Sequence, residues 1–418
     1  MTFTTSAPDA LPPAQGQQLK SMLARAQRRN RWRAFLLVAP LLLFILASFI
    51  FPIGQMLFRS IHNPTFPQNM PRLTAWFSDT THKLPDEAAY EALVEDLRAA
   101  AKARTIGVVG TRVNYEMSGT RSLFTSAGRK VEGLTPPYAQ SLPALDKTWA
   151  SPELWAAMRV SSDAISSNFY LSAVDLTRDA EGSIIQAPED RRVYLMLFLR
   201  TFAMAAGITV ICALIGFPVA HLLATLPLRQ SNLLMIMVLL PFWTSLLVRT
   251  TAWIAILQGQ GIINSALVAI GILSEDGRLS MVYNRTGAII AMTHILLPFM
   301  ILPLYSVMRT INPAYVRAAR SLGATSWTAF RRIYLPQTLP GMGAGALLVF
   351  ILAVGYYITP ALVGGASGQL ISNMIAFHMQ NSLNWSLAAA LAAILLAVVL
   401  LLYWLYDRLV GIDNMKLG

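Results

Sequence analysis

Few side chains in this 418-residue sequence are placed to do covalent chemistry. The densest carboxylate group is Asp86, Glu87, Glu91, Glu95 and Asp96. Gathered in space these would hold a cation, but along one helical stretch with Arg98 and Lys102 close behind they read as a solvated face. Cys212 is the single cysteine and falls in an apolar run, so the chain has no internal disulfide and no thiolate metal site. His221 and His294 also fall in apolar runs, away from any ligand spacing, and are expected to be hydrogen-bonded core residues. The phosphate-cradling pattern Gly-x-x-x-x-Gly-Lys-Ser/Thr does not occur, so the chain is not expected to hydrolyse ATP by itself. No catalytic residue, metal ligand or bound cofactor is expected.

The stretch with most to offer a partner is "RAARSLGATSWTAFRRIYLPQTLPG", Arg317 to Gly341. From Arg309 to Thr338, Arg309, Arg317, Arg320, Arg331 and Arg332 stand with no carboxylate among them. Asn312 and Pro313 form an N-cap and first-turn pair, and Gly323 sits where a left-handed residue would end the helix. Ser326 is the expected cap of a second helix, "WTAFRRIY", which should stop before Pro336. Trp327, Phe330 and Tyr334 recur at helical spacing and give that helix an apolar face. Such a face either folds back on the protein's own membrane surface or docks into another protein's groove.

The elements that position this stretch are membrane spans. The chain is 55% hydrophobic and 13% charged, with a mean hydropathy of +0.51, which is outside the soluble range. Charge-free or nearly charge-free runs are expected to span at 34–58, 201–225, 233–257, 286–307, 339–362 and 383–406. The first is too long for a cleaved signal core and is read as a retained helix. Before it stand Lys20, Arg25, Arg28, Arg29, Arg31 and Arg33 against Asp9 alone. This tail, residues 1–33, and the basic stretch carry +5 each of the net +12, so both are assigned to the cytoplasm, with a short cytoplasmic tail at 410–418. Orientation accounts for the charge without nucleic acid.

Residues 59–192 form a long polar segment with 15 bases against 16 acids, which this topology puts outside as a mostly helical domain. Two helices are expected there, "PDEAAYEALVEDLRAAAKA" and "SPELWAAMRVSSDAISSNFYL", the latter with Ser151 as N-cap and Pro152 at its first position, and "TIGVVGTRVNY" reads as a strand. The start "APDALPPAQGQQ" reads as disordered, no repeat is visible, and "GIINSALVAIGIL" and "QLISNMIAFHMQ" suit interfacial or external helices.

The basic stretch closely resembles the coupling loop of permease subunits of binding-protein-dependent ABC importers, with Glu-Ala-Ala, then Leu-Gly-Ala, then Leu-Pro as its usual form. Ala318, Ala319, Leu322, Gly323, Ala324, Phe330, Leu335, Pro336, Pro340 and Gly341 match, while Arg317 takes the glutamate's place. "LLPFWTSLLVRTTAWIAILQGQGIIN", "ILLPFMILPLYSVMRTINP" and "LPGMGAGALLVFILAVGYYITPALVGG" resemble the spans of spermidine/putrescine permeases, and the likeness runs over about 194–409. It implies the all-α, six-helix permease fold of type I ABC importers, with a core at 193–409 and a coupling loop at 312–338. It also implies a second permease subunit, two cytoplasmic ATPase subunits that use ATP and magnesium, and a periplasmic solute-binding protein in the bacterial inner membrane. Arg317, Ala318, Ala319, Leu322, Gly323, Ala324, Ser326, Trp327, Phe330, Leu335 and Pro336 would then meet the ATPase.

A polyamine is the implied cargo. Yet between Val193 and Tyr406 the only acids are Glu275 and Asp276, in an external loop, and Tyr356 and Ala361 stand where the family form carries acids. Trp243, Trp253, Tyr356 and Tyr357 could hold an amine by cation–π contact, worth about 0.5 to 2 kcal/mol each, or pack at the interface. Arg249 reads as snorkelling, or as a pathway residue favouring a zwitterionic or anionic, amino-acid-like solute. Pro241 and Pro360 are expected to bend helices beside a cavity. A membrane-anchored ligand sensor is the reading from another class.

Overall fold

A computed structural model describes residues 13–79, 85–179 and 183–410; the extreme start of "APDALPPAQGQQ" and the tail 411–418 lie outside these. The chain divides into two units, Met1–Phe58 and Arg59–Gly418.

The first unit is helical. Helix α1 (Pro13–Ile45) passes through a π turn, Leu46–Ile50, into α2 (Phe51–Ile61). The Gln-rich start, expected without structure, is therefore helical from Pro13, which suits proline at a first helical position followed by good helix formers.

The polar segment of the second unit folds as a helical domain. It comprises α3 (Thr65–Asn69), α4 (Pro71–Ser78), α5 (Glu87–Lys102), α6 (Ile106–Asn114), α7 (Thr120–Gly128), α8 (Tyr138–Leu145), α9 (Pro152–Ser162) and α10 (Asn168–Ala173), then an antiparallel pair, β1 (Leu176–Arg178) and β2 (Ile184–Gln186). Phe66, Leu73, Leu93, Leu97, Val113, Phe124, Trp149 and Met158 are wholly buried in its own core. Asp86 caps α5, accepting from Ala89 N at 2.9 Å. Its carboxylates do not converge: Glu95 pairs with Arg72, while buried Asp96 accepts from Leu73 N at 2.9 Å at the start of α4. The expected strand at 105–115 is α6 instead. Val109 and Val113 fall four apart on its buried face, and at Gly110 a Cβ would come within 2.9 Å of Phe124 Cβ, so glycine lets α7 approach. The helix begun at Pro152 stops at Asp163 and resumes as α10, and Ser151 makes no side-chain cap bond.

The membrane part follows with α11 (Tyr194–Thr225), α12 (Leu228–Trp243), α13 (Leu246–Leu257), α14 (Ile262–Ala269), α15 (Arg285–Thr310), α16 (Pro313–Ser321), α17 (Ser326–Ala329), α18 (Leu335–Gly355), α19 (Ile358–Val363), α20 (Ile371–Gln380) and α21 (Trp385–Val410). Among the described residues, 6 helices are long and apolar enough to cross a membrane, including Ala26–Ile61 in the first unit. Helices α11, α15 and α18 pack around Ile208, Met292, Leu296, Met300 and Val349. At Gly345 an added Cβ would lie 2.9 Å from Met300 Sδ, so the bare backbone allows this close crossing.

Two expected spans are broken. The run at 233–257 stops at Trp243 and restarts at Leu246, and the run at 339–362 stops at Gly355 and restarts at Ile358. Pro241 and Pro360 are the local cause, because each lacks the N–H that would bond the carbonyl four residues earlier. For Pro360 that carbonyl belongs to Tyr356, and Ser372 Oγ donates to it instead at 2.6 Å.

The helical domain is fastened to the membrane helices. Phe169 and Ala173 of α10 share a core with Leu197, Phe198, Ile371, Leu387 and Leu391. Asp175, buried and in the left-handed region with φ 58°, accepts three backbone N–H bonds from the start of α11, from Val193 at 3.1 Å, Tyr194 at 3.0 Å and Leu195 at 2.9 Å. A carboxylate from one domain thus caps a membrane helix of the other.

Candidate functional site

The basic stretch forms a knob at the ends of α11 and α15 remote from the helical domain. Asn312 Oδ1 accepts from Ala314 N at 2.9 Å and Pro313 opens α16, as the spacing requires. Gly323 has φ 92°, a conformation costly for other residues, and turns the chain into α17. The cap of α17 is Thr325, whose Oγ1 accepts from Thr328 N at 3.2 Å, rather than Ser326. The second helix does not stop before Pro336. It widens to a π turn over Phe330–Tyr334 and continues as α18, with Pro336 directly after the widened turn.

Leu322 is 90% exposed and Trp327 67%, with Arg317, Arg320, Arg331 and Arg332 exposed around them. Ala318 is exposed as well, Ala319, Ala324 and Leu335 are half-buried, and Arg309 Nη1 ties the base of the knob to Ala224 O at 3.2 Å. The aromatic face runs inward as a stack. Trp327 and Phe330 lie 5.7 Å apart at 23°, Phe330 and Tyr334 5.9 Å apart at 25°, and Phe330 meets Phe217 of α11 edge-on at 6.0 Å. Its outer end is exposed and its inner end packed, so the fold-back reading holds for Phe330 and Tyr334. The hydrogen bond expected of His221 closes the stack, with Nδ1 3.0 Å from Tyr334 Oη.

The two helix breaks form a second candidate site. Arg249 Nε donates to Thr244 Oγ1 at 3.1 Å and Nη2 to Thr244 O at 2.8 Å and to Pro241 O, so the guanidinium holds the open carbonyl end of α12. Trp253 Nε1 donates to His294 Nδ1 at 3.2 Å, and Thr250 and Thr359 hydroxyls lie 3.4 Å apart between α13 and α19. Trp253 of α13 thus meets His294 of α15, a residue expected only in the core. Tyr357 is 39% exposed and its carbonyl accepts from Asn373 Nδ2 at 2.7 Å, while Trp243 is 74% exposed at the end of α12. No carboxylate of the sequence from Val193 to Tyr406 except Glu275 and Asp276 is available to this region, and Glu275 pairs with Arg278 at 2.7 Å. The groups presented at the two breaks are aromatic, hydroxylic and carbonyl in character.

Residues 214–411 match the family model described as binding-protein-dependent transport system inner membrane component. The spermidine/putrescine transport system permease protein PotB of Haemophilus influenzae is 36% identical over 224 residues, 54% of this chain and 78% of that protein. The inner membrane ABC transporter permease protein YdcU of Escherichia coli is 30% identical over 228 residues, 52% of this chain and 72% of that protein. A solved bacterial alginate ABC transporter chain aligns over 54% of this chain and 81% of its own length, at 18% identity and a TM-score of 0.46, too slight a likeness to build on.

Proposed function

The chain belongs to the family of binding-protein-dependent transport system inner membrane components, and on that premise we propose that it is a permease subunit of an ATP-driven importer in a bacterial inner membrane. Its transport role needs no catalytic site of its own; ATP and magnesium are used by a separate subunit. A second permease completes the pathway, two ATPase subunits sit in the cytoplasm with both tails of this chain, and a periplasmic binding protein delivers the solute on the side of the 59–192 domain.

The observation that carries this reading is the exposed apolar centre of the knob, Leu322 and Trp327, ringed by arginines and continuous with α18. It suits the groove of an ATPase subunit. A groove that closes on ATP binding pushes this knob, and the rod from Ser326 through the π turn to Gly355 carries the push to the break at Tyr356. Motion there opens the pathway to one side and then the other.

The cargo we propose is a polyamine, supported by the likeness to the spermidine/putrescine permease PotB and by the aromatic side chains Trp253, Tyr356 and Tyr357. Purification with the native partners, reconstitution in lipid and measurement of ATPase activity with the binding protein and a panel of solutes tests it. Stimulation by spermidine or putrescine is expected; stimulation only by other solutes would overturn the cargo, and an absence of associated ATPase would overturn the importer. Arg249 favours one second reading, an amino-acid-like solute whose carboxylate meets the guanidinium at Nη1, which makes no hydrogen bond among the described residues.

A further inference from the structure

We infer that the bond between His221 and Tyr334 is a mechanical joint that makes α11 and α18 move together when the knob is displaced. This rests on the importer reading above. The two residues lie 113 positions apart, on the α11 helix and on the π turn that begins α18, and their contact distance is 3.0 Å. Their rings meet nearly at right angles, 5.1 Å between centroids. Tyr334 is also the inner end of the ring stack whose outer member, Trp327, is exposed. A displacement of Trp327 therefore arrives at one side chain, which passes it along α18 by backbone continuity and across to α11 by the hydrogen bond.

Phe217 reinforces the crossing one turn away through its edge contact with Phe330, but that contact is apolar and tolerates sliding. The hydrogen bond is directional and holds the register of the two helices. Each helix leads to a different feature. The α18 helix ends at the break before Tyr356, and α11 leads back to the start held by Asp175 of the 59–192 domain. The joint thus lets one input from the knob reach both the pathway break and the outer domain.

The test uses the reconstituted complex and reads solute transported per ATP hydrolysed. Tyr334→Phe and His221→Phe each remove the bond and keep a ring in place. Each is expected to lower that ratio about 2- to 10-fold, the effect of one net hydrogen bond, with assembly and basal ATPase unchanged. The double variant is expected to be no worse than either single, because both act through one bond. His221→Asn, whose amide reaches the position of Nδ1, is expected to restore most of the ratio. An unchanged ratio in both single variants, losses that multiply in the double, or loss of assembly would each overturn the joint. A wild-type complex without solute-dependent ATPase would count against the importer reading instead.

Discussion

Asp175 offers the most direct test of how the 59–192 domain is attached. Its two carboxylate oxygens accept N–H bonds from Val193, Tyr194 and Leu195, and its own backbone sits at φ 58°. Three replacements separate these contributions. Asn tolerates the left-handed conformation and keeps one acceptor oxygen, so it loses chiefly the charge facing the helix dipole, about 1 kcal/mol. Gly keeps the conformation and loses the acceptors altogether, adding a cap loss of about 1 kcal/mol for a total of about 2. Ala loses the acceptors and also pays left-handed strain of about 1 to 2 kcal/mol, for a total of about 3 to 4. Amide hydrogen exchange over the first turn of α11 reads these values locally. At 1.36 kcal/mol per tenfold, protection there should fall about 5-fold for Asn, about 30-fold for Gly and more than 100-fold for Ala. Equal losses for Asn and Gly, or no loss for any, would refute the cap as the fastening.

Leu322→Ala and Trp327→Ala should each weaken capture of the ATPase subunit by about 30-fold or more, as for central interface anchors, while this chain's own stability stays within about 0.5 kcal/mol; pull-down titration and thermal unfolding distinguish the two effects. Gly323→Ala meets no neighbour within 4 Å, so its cost of about 1 to 2 kcal/mol comes from φ 92° alone and should appear as faster proteolysis between α16 and α17. Arg249→Gln releases the carbonyls of Pro241 and Thr244 and should lower stability by about 1.5 to 3 kcal/mol, with Arg249→Lys recovering only part because it lacks the planar fork. Burial pushes the pKa of His378 down, where its ring bonds Tyr194 Oη and Ser382 Oγ, both at 2.9 Å. The unfolded state then binds the proton more readily, so stability should be full above about pH 6.5 and decline below it until the folded ring titrates. In His378→Gln that slope should vanish; its persistence would assign it to another group.

What the sequence made legible was local and capped. Asn312 with Pro313, and Gly323, each carry a neighbour-to-neighbour signal, and each behaves as that signal requires. The ring face at Trp327, Phe330 and Tyr334 was readable for the same reason, since helical spacing sets it. Errors arose where tertiary contacts decide. The β-branched run at 106–113 suggests a strand until packing against Phe124 is known, and Pro336 suggests a stop until the helix is seen to widen ahead of it. Hydropathy is unbroken at 233–257 and 339–362, so Pro241 and Pro360 pointed to bends but not to interruptions whose free carbonyls are satisfied by Arg249, just past the first break, and by Ser372, beyond the second run. Asp175 had no signature at all, and His221 was legible as a hydrogen-bonded residue but not as the partner of Tyr334, which is distant in sequence.

The π turn at Phe330–Tyr334 has a consequence for what α18 can do. Such a turn is an α-helix storing one surplus residue. If that residue is handed on to a neighbouring turn, the segment passed over rotates by about 100°, one residue's share of a 3.6-residue turn. The helix can therefore act as a screw as well as a rod, presenting a different face to its neighbours while its backbone bonds are remade rather than lost.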